Sequence, residues 1–113
     1  WADLNPFFGS EQGGTRPVLV LQNDAGNFFS PTLIVAPMSS QVDKRTDLPT
    51  HIVLEQVRGL DGPSLIMLEQ LKTIDKRRVR SYAGKLTKEQ MAEVEAALTG
   101  ALGIYITEAV EAP

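Results

Sequence analysis

Short, mostly apolar runs punctuate the first two-thirds of the chain: Val18-Leu19-Val20-Leu21, Leu33-Ile34-Val35-Ala36, Thr50-His51-Ile52-Val53-Leu54 and Ser64-Leu65-Ile66-Met67-Leu68. Each is too short for a helix and rich in β-branched or bulky residues, which predicts buried strands. Turn formers separate them: Asn23-Asp24-Ala25-Gly26-Asn27 between the first two, Leu60-Asp61-Gly62-Pro63 between the last two. From Leu68 to Lys76 apolar and polar residues alternate, as a half-buried strand requires, and a short helical turn is expected around Asp75 to Val79. The period changes near the end. Met91, Val94, Leu98, Ala101 and Leu102 recur at helical spacing behind Thr87, an N-cap whose partner Gln90 completes a capping box. Gly103 is the expected stop, and the acidic tail from Thr107 is expected to fray. Two stretches, Asn5 to Thr15 and Ser39 to Pro49, read as loops with little structure of their own. About five strands and one packed helix predict a mainly β fold with α, a strongly bent sheet or barrel with the helix over one side or end.

Composition narrows the chemistry. The 113 residues fit a single domain spanning 1–113, with no internal repeat or linker. The chain begins at Trp1, and an incomplete first strand is the expectation. No apolar run approaches the ~20 residues that cross a bilayer, and no signal peptide opens the sequence, so a cytoplasmic setting without membrane contact is expected. Cysteine is absent, which excludes disulfides and Cys-based zinc sites. His51 stands alone, so a histidine metal centre is not expected, and two-histidine acid–base catalysis cannot be built within one chain. No cofactor is implied. The net charge of −3 argues against a broad nucleic-acid-coating surface. The charges are unevenly spread, however. Lys72, Lys76, Arg77, Arg78, Arg80, Lys85 and Lys88 share their stretch with one acid, Asp75, whereas from Glu89 onward there are only acids. That asymmetry permits a local anion-facing patch and is equally compatible with solvated surface.

Four segments carry candidate chemistry. Gly9-Ser10-Glu11-Gln12-Gly13-Gly14-Thr15-Arg16-Pro17 is a glycine-rich loop ending on an arginine just before a strand. Glycines at 9 and 14 are spaced as in a phosphate-binding P-loop, but the lysine is missing and a strand follows, so that reading fails. Arg16 is then either a surface ion-pair partner or, stiffened by Pro17, a fork aimed at phosphate. Pro37-Met38-Ser39-Ser40-Gln41, where a strand leaves the core, offers hydroxyl and amide donors, or is simply a polar loop start. No nucleophile elbow surrounds Ser39 or Ser40, which sets a Ser/His/Asp triad aside. In the third segment, Gln70, Lys72 and the basic cluster behind them either face a polyanion or form a half-buried strand. His51, last, reads as a structural or surface histidine.

Taken in order, these words resemble the MazF/PemK family of toxin endoribonucleases, its Gram-positive branch in particular. The match runs through Gly9–Gly14, Arg16-Pro17-Val18-Leu19-Val20, Gln22-Asn23-Asp24, Ser30-Pro31-Thr32, Leu48-Pro49-Thr50-His51, Leu68-Glu69-Gln70 and Thr73-Ile74-Asp75-Lys76. The resemblance implies an SH3-like barrel of the MazF/PemK/CcdB type with a C-terminal helix, paired as a homodimer. It implies metal-independent cleavage of single-stranded RNA at a short sequence, leaving a 2′,3′-cyclic phosphate and a 5′-hydroxyl. It also implies inhibition by a MazE/PemI-type antitoxin, with DNA reached only through that antitoxin. Family members carry an Arg-Gly-Asp-like run ahead of the equivalent of Trp1, which fits an incomplete first strand. Arg16 falls at the catalytic arginine and Ser39 where a threonine is common. Glu11 is a base, a loop-ordering group or an RNA contact. Phe8, Ser10, Gln12, Thr15, Gln41, Gln70 and Lys72 are the expected RNA contacts. Phe7, Phe8, Phe28 and Phe29 either stack on bases or pack in a core or dimer interface. Two rivals remain: a non-catalytic binder of RNA or antitoxin, and a gyrase-poisoning toxin on the same barrel.

Overall fold

A computed structural model of the chain describes residues 1–21, 28–42 and 48–103. The expected turn at 23–27 and the acidic tail from Thr107 lie outside the described residues, as does the middle of the loop expected from Ser39 to Pro49. Among the described residues the elements bounded on both sides follow in the order β1 (Ala2–Asp3), β2 (Thr15–Arg16), β3 (Val18–Val20), β4 (Thr32–Ser39), β5 (His51–Leu54), β6 (Ser64–Met67), β7 (Lys72–Asp75) and α1 (Lys88–Leu102), with two 3-10 turns between β6 and α1. Every pairing is antiparallel. β1 and β2 form a small sheet, while β3-β4-β6-β5 form the main one, with β7 also paired to β4. The fold is mainly β with a C-terminal helix, as expected. Among the described strands the sheet bends without closing into a barrel.

β4 organises the sheet and is longer than the apolar run Leu33–Ala36 suggested, continuing through Pro37 to Ser39. Its tolerance of proline follows from the ladder. Leu21 N donates to Ile34 O and Met38 N donates to Pro17 O, so residues 34, 36 and 38 turn their polar groups toward β3. By alternation the nitrogen of Pro37 faces the opposite edge, between the end of the β7 pairing at Val35↔Lys72 and the start of the β6 pairing at Met38↔Ile66. Proline therefore occupies a break between two ladders, where a missing N–H is tolerated. The same gap explains a second departure from expectation. Leu68–Gln70 is a 3-10 turn rather than strand, closed by Leu71 N donating to Leu68 O at 3.3 Å. The chain steps from β6 to β7 where β4 offers no donor.

β4 is buried on both faces from Val35 to Met38, while Ile34, within the same apolar run, is exposed. Ala36 and Met38 join Leu54, Val57, Ile66, Leu68 and Val94 in one core, while Leu33 and Val35 join Ala2, Leu4 and Ile74 in another. α1 closes the first core through Val94, with Ala97, Leu98 and Ala101 packed around it. Leu102, expected on the apolar face, is instead exposed beside the helix end. The capping box is present: Gln90 N donates to Thr87 Oγ1 at 3.1 Å and Thr87 N to Gln90 Oε1 at 3.0 Å, and Gly103 ends the helix at φ 69°. The expected turn after Asp75 is the 3-10 turn Lys76–Arg78, capped by the Asp75 carboxylate on Arg77 N at 2.8 Å. Among the described residues no helix is long and apolar enough to cross a membrane.

Candidate active site

The loop expected to lack structure is fastened along its length. Its base is tied by Leu4 N to Gly14 O at 3.0 Å and by Gly14 N to Asn5 Oδ1 at 2.9 Å. Its tip is a turn in which Glu11 N donates to Phe8 O at 3.1 Å and Phe8 N donates to Glu11 Oε1 at 2.7 Å. Gly13 is required by close packing, since a Cβ there would lie 1.9 Å from the Phe7 ring. From outside, Arg78 donates to the carbonyls of Asp3 and Asn5. Gln70 accepts from Gln12 N at 2.8 Å and donates to Ser10 O at 3.5 Å.

Arg16, on β2, is half-buried. Its Nε donates to Gly13 O at 2.9 Å and its Nη1 to Met38 O at 3.2 Å. Among the described residues no carboxylate lies within ion-pair distance, so Arg16 is not the surface ion-pair partner that the sequence left open. Burial without a counter-charge lowers its pKa below the ordinary guanidinium value. Two carbonyls fix the guanidinium plane and leave its other N–H groups for a ligand.

Those groups line a cleft of about 850 Å³. One wall is Ser10, Glu11, Gln12 and Arg16; the other is built from β4 to β7 and their connections, with Ser39, Gln41, His51, Glu69, Gln70 and Lys72. Ser39 is the last residue of β4 rather than the first of a loop, paired with Leu65, and its Oγ accepts from Gln41 N at 3.1 Å. Because that bond uses the hydroxyl as acceptor, its proton remains available to donate. Of the expected site residues, the cleft gathers Arg16, Ser39, Glu11, Ser10, Gln12, Gln41, Gln70 and Lys72, while Phe8 and Thr15 are exposed and do not line it.

The cleft also contains a pair the sequence did not suggest. His51 Nε2 lies 2.6 Å from Glu69 Oε2, and Thr50 Oγ1 donates to Glu69 Oε1 at 3.3 Å. The His51 side chain is 1% exposed and that of Glu69 36%, so the carboxylate faces the cleft and the imidazole backs it. The pairing His51↔Met67 between β5 and β6 sets this up, delivering Glu69 two residues later. The words Thr50-His51 and Leu68-Glu69-Gln70 were the available signal, without the register to join them. The basic stretch behind Lys72 is used otherwise. Arg77 pairs with Asp75 at 3.0 Å and Arg80 with Asp3 at 3.4 Å, and only Lys72 of the cluster reaches the cleft. Phe8, Phe28 and Phe29 are 86%, 79% and 81% exposed, so none is a core residue of this chain; Phe28 and Phe29 meet edge to face at 4.9 Å.

A bent antiparallel sheet with one packed helix and an arginine-centred cleft describes a class of small β-sheet proteins, and comparison with known sequences places the chain within it. A profile of PemK-like, MazF-like toxins of type II toxin–antitoxin systems matches residues 1–102. The chain is 50% identical over 105 residues to Endoribonuclease EndoA of Bacillus subtilis (strain 168), covering 92% of this chain and 90% of that protein. Among solved structures, MazF of Deinococcus radiodurans superposes with a TM-score of 0.77 at 28% identity, covering 91% of this chain and 90% of the other. A MazE–MazF structure from the same organism gives 0.72 at 27%, covering 93% and 91%. The chain belongs to the PemK/MazF-like toxin family.

Proposed function

We propose that this toxin is an endoribonuclease that cuts single-stranded RNA at a short sequence without a metal, leaving a 2′,3′-cyclic phosphate and a 5′-hydroxyl. The observation that carries the reading is Arg16: a half-buried cation held by two backbone carbonyls, lacking an acidic partner among the described residues, and facing a cleft. A phosphate supplies the missing counter-charge in bidentate geometry. The name of the 50% identical relative supports an RNA phosphate as that ligand.

In this mechanism the ribose 2′-oxygen attacks the adjacent phosphorus as its proton leaves, and the P–O5′ bond breaks as the departing oxygen is protonated. Arg16 stabilises the charge that develops on the phosphoryl oxygens, and Ser39 donates its free hydroxyl proton to the same group. Glu11, whose Oε1 is committed to Phe8 N, takes the 2′-proton on its other oxygen. Ser10, Gln12, Gln41 and Lys72 contact the strand within the cleft, with Phe8 and Thr15 flanking it. The protein works as a homodimer in the cytoplasm, and its antitoxin inhibits it by covering the cleft and links it to DNA. The existence of MazE–MazF structures among the relatives supports the antitoxin assignment.

Arg16→Ala is expected to abolish cleavage of a long single-stranded RNA, a loss of at least about 10²–10³-fold in kcat, while circular dichroism stays unchanged. A folded Arg16→Ala protein that cuts at the wild-type rate overturns the assignment. EDTA is expected to leave the activity intact; activity lost to EDTA and restored by added metal overturns the metal-free mechanism.

A further inference from the structure

Gln70 joins the two walls of the cleft. It ends the 3-10 turn after β6, half-buried, and both ends of its amide engage backbone of the Ser10–Gln12 loop: Oε1 accepts from Gln12 N at 2.8 Å, and Nε2 donates to Ser10 O at 3.5 Å. These contacts bracket Glu11 from both sides. One residue beyond Gln12, Gly13 O receives Arg16 Nε at 2.9 Å. A short covalent path therefore runs from the Gln70 contact to the guanidinium, with the Phe7 ring packed against Gly13 on the way.

We propose that Gln70 is a positioning residue for Arg16 and Glu11, acting through the backbone of Gln12 and Gly13, rather than a reader of RNA bases. This rests on the ribonuclease reading above. Bidentate reading of a base edge needs the amide oxygen and nitrogen turned together toward the base, whereas here one lone pair of Oε1 and one proton of Nε2 are held by the protein's own backbone, which turns the amide toward the loop. Among the described residues the loop's other hydrogen bonds act at its base, within its own tip and through Arg16 to β4, and Gln70 is the side chain that joins Ser10 and Gln12 to the end of β6. Catalytic geometry is sensitive at that scale, since a displacement of about 1 Å costs roughly 10²-fold in rate.

The test compares Gln70→Met, which keeps the length and loses both hydrogen bonds, with Gln70→Glu, which keeps the acceptor for Gln12 N. Positioning predicts that Gln70→Met lowers kcat by about 10–100-fold with KM changed less than about threefold, that Gln70→Glu recovers a substantial part of kcat, and that mapped cut sites keep the wild-type sequence. A second readout is independent of catalysis: the Gln12 amide, slow to exchange with deuterium in the wild type, exchanges faster in Gln70→Met while amides of α1 do not change. An altered cut-site sequence with kcat retained overturns the proposal in favour of base reading. Unchanged kinetics with unchanged Gln12 exchange overturns it outright. If the wild type fails to cut RNA, the ribonuclease reading falls, and the exchange experiment still decides whether Gln70 holds the loop.

Discussion

Burial lowers the pKa of Arg16, and its cause is lost hydration rather than a neighbouring charge. A guanidinium starts so basic that Arg16 stays protonated throughout the range in which RNA cleavage is measured, and it adds no limb to a pH–rate profile. The base is the more direct test. With Glu11 in that role, Glu11→Gln is expected to lower kcat by about 10²-fold or more with circular dichroism unchanged. A Glu11→Gln enzyme that keeps the wild-type rate moves the base elsewhere, with Glu69, hydrogen-bonded to His51, the next carboxylate in the cleft. Ser39 offers a second check. Threonine adds the methyl that restrains the hydroxyl rotamer, so Ser39→Thr is expected to match or modestly exceed wild-type kcat, while Ser39→Ala loses about 10-fold or more. That Arg16, Glu11 and Ser39 line one cleft was foreshadowed by the order of the words that resemble the family, since each word alone left a structural reading open. The His51–Glu69 pair was not, because it depends on a strand register that no local pattern encodes.

The same distinction holds for the elements. Four apolar runs announced β3 to β6, and Thr87, Gln90 and Gly103 marked both ends of α1. Two-residue strands such as β1 and β2 have no period to detect; they exist because the tied loop between them brings Ala2 opposite Arg16. The 3-10 turn at Leu68–Gln70 was hidden because its alternation matches a strand, and its cause lies on β4 at Pro37. Loop packing gives a clean test of these local demands. Gly59 and Gly62 both hold positive φ, at 89° and 78°, but a Cβ on Gly59 would lie 1.8 Å from Ala83 O, whereas none of its neighbours crowds Gly62. Gly62→Ala is expected to cost about 1 kcal/mol from backbone strain alone, and Gly59→Ala clearly more, read as a larger fall in the urea midpoint. Equal midpoints for the two variants contradict the packing. Acid stability has its own marker in the turn after β7. Hydrogen bonds from Arg77 depress the Asp75 pKa from 3.8 to about 2. A depressed carboxyl contributes stability that is present above its unfolded pKa and lost as pH falls through the folded one. Asp75→Asn therefore removes a small contribution at neutral pH and becomes indistinguishable from wild type below pH ~2.

At the scale of the molecule, an acidic chain has to attract a polyanion, and the distribution of its cations decides how. The sequence left open whether the basic stretch from Lys72 to Lys88 forms a track for RNA. In the fold, Arg77, Arg78 and Arg80 hold Asp75 and the N-terminal residues, and the cleft walls among the described residues keep two cations, Arg16 and Lys72. Counterion release turns that difference into a number. Each phosphate neutralised on a single strand contributes about −0.7 to the slope of log K against log salt. Two cleft cations predict a slope of about −1.4, and a strand crossing two copies of the chain predicts about −2.8. A track using the whole basic stretch requires a slope steeper than about −5. The measurement needs an RNA that binds without being cut, obtained by replacing the attacking 2′-hydroxyl with hydrogen, titrated at several salt concentrations. A shallow slope that falls by about 0.7 per cleft in Arg16→Ala ties the affinity to the same residue proposed to carry the chemistry. A steep slope that Arg16→Ala leaves unchanged places the binding energy on the outer face and separates it from the cleft. On a protein with a net charge of −3, affinity built on few phosphates leaves any discrimination among RNA sequences to base contacts.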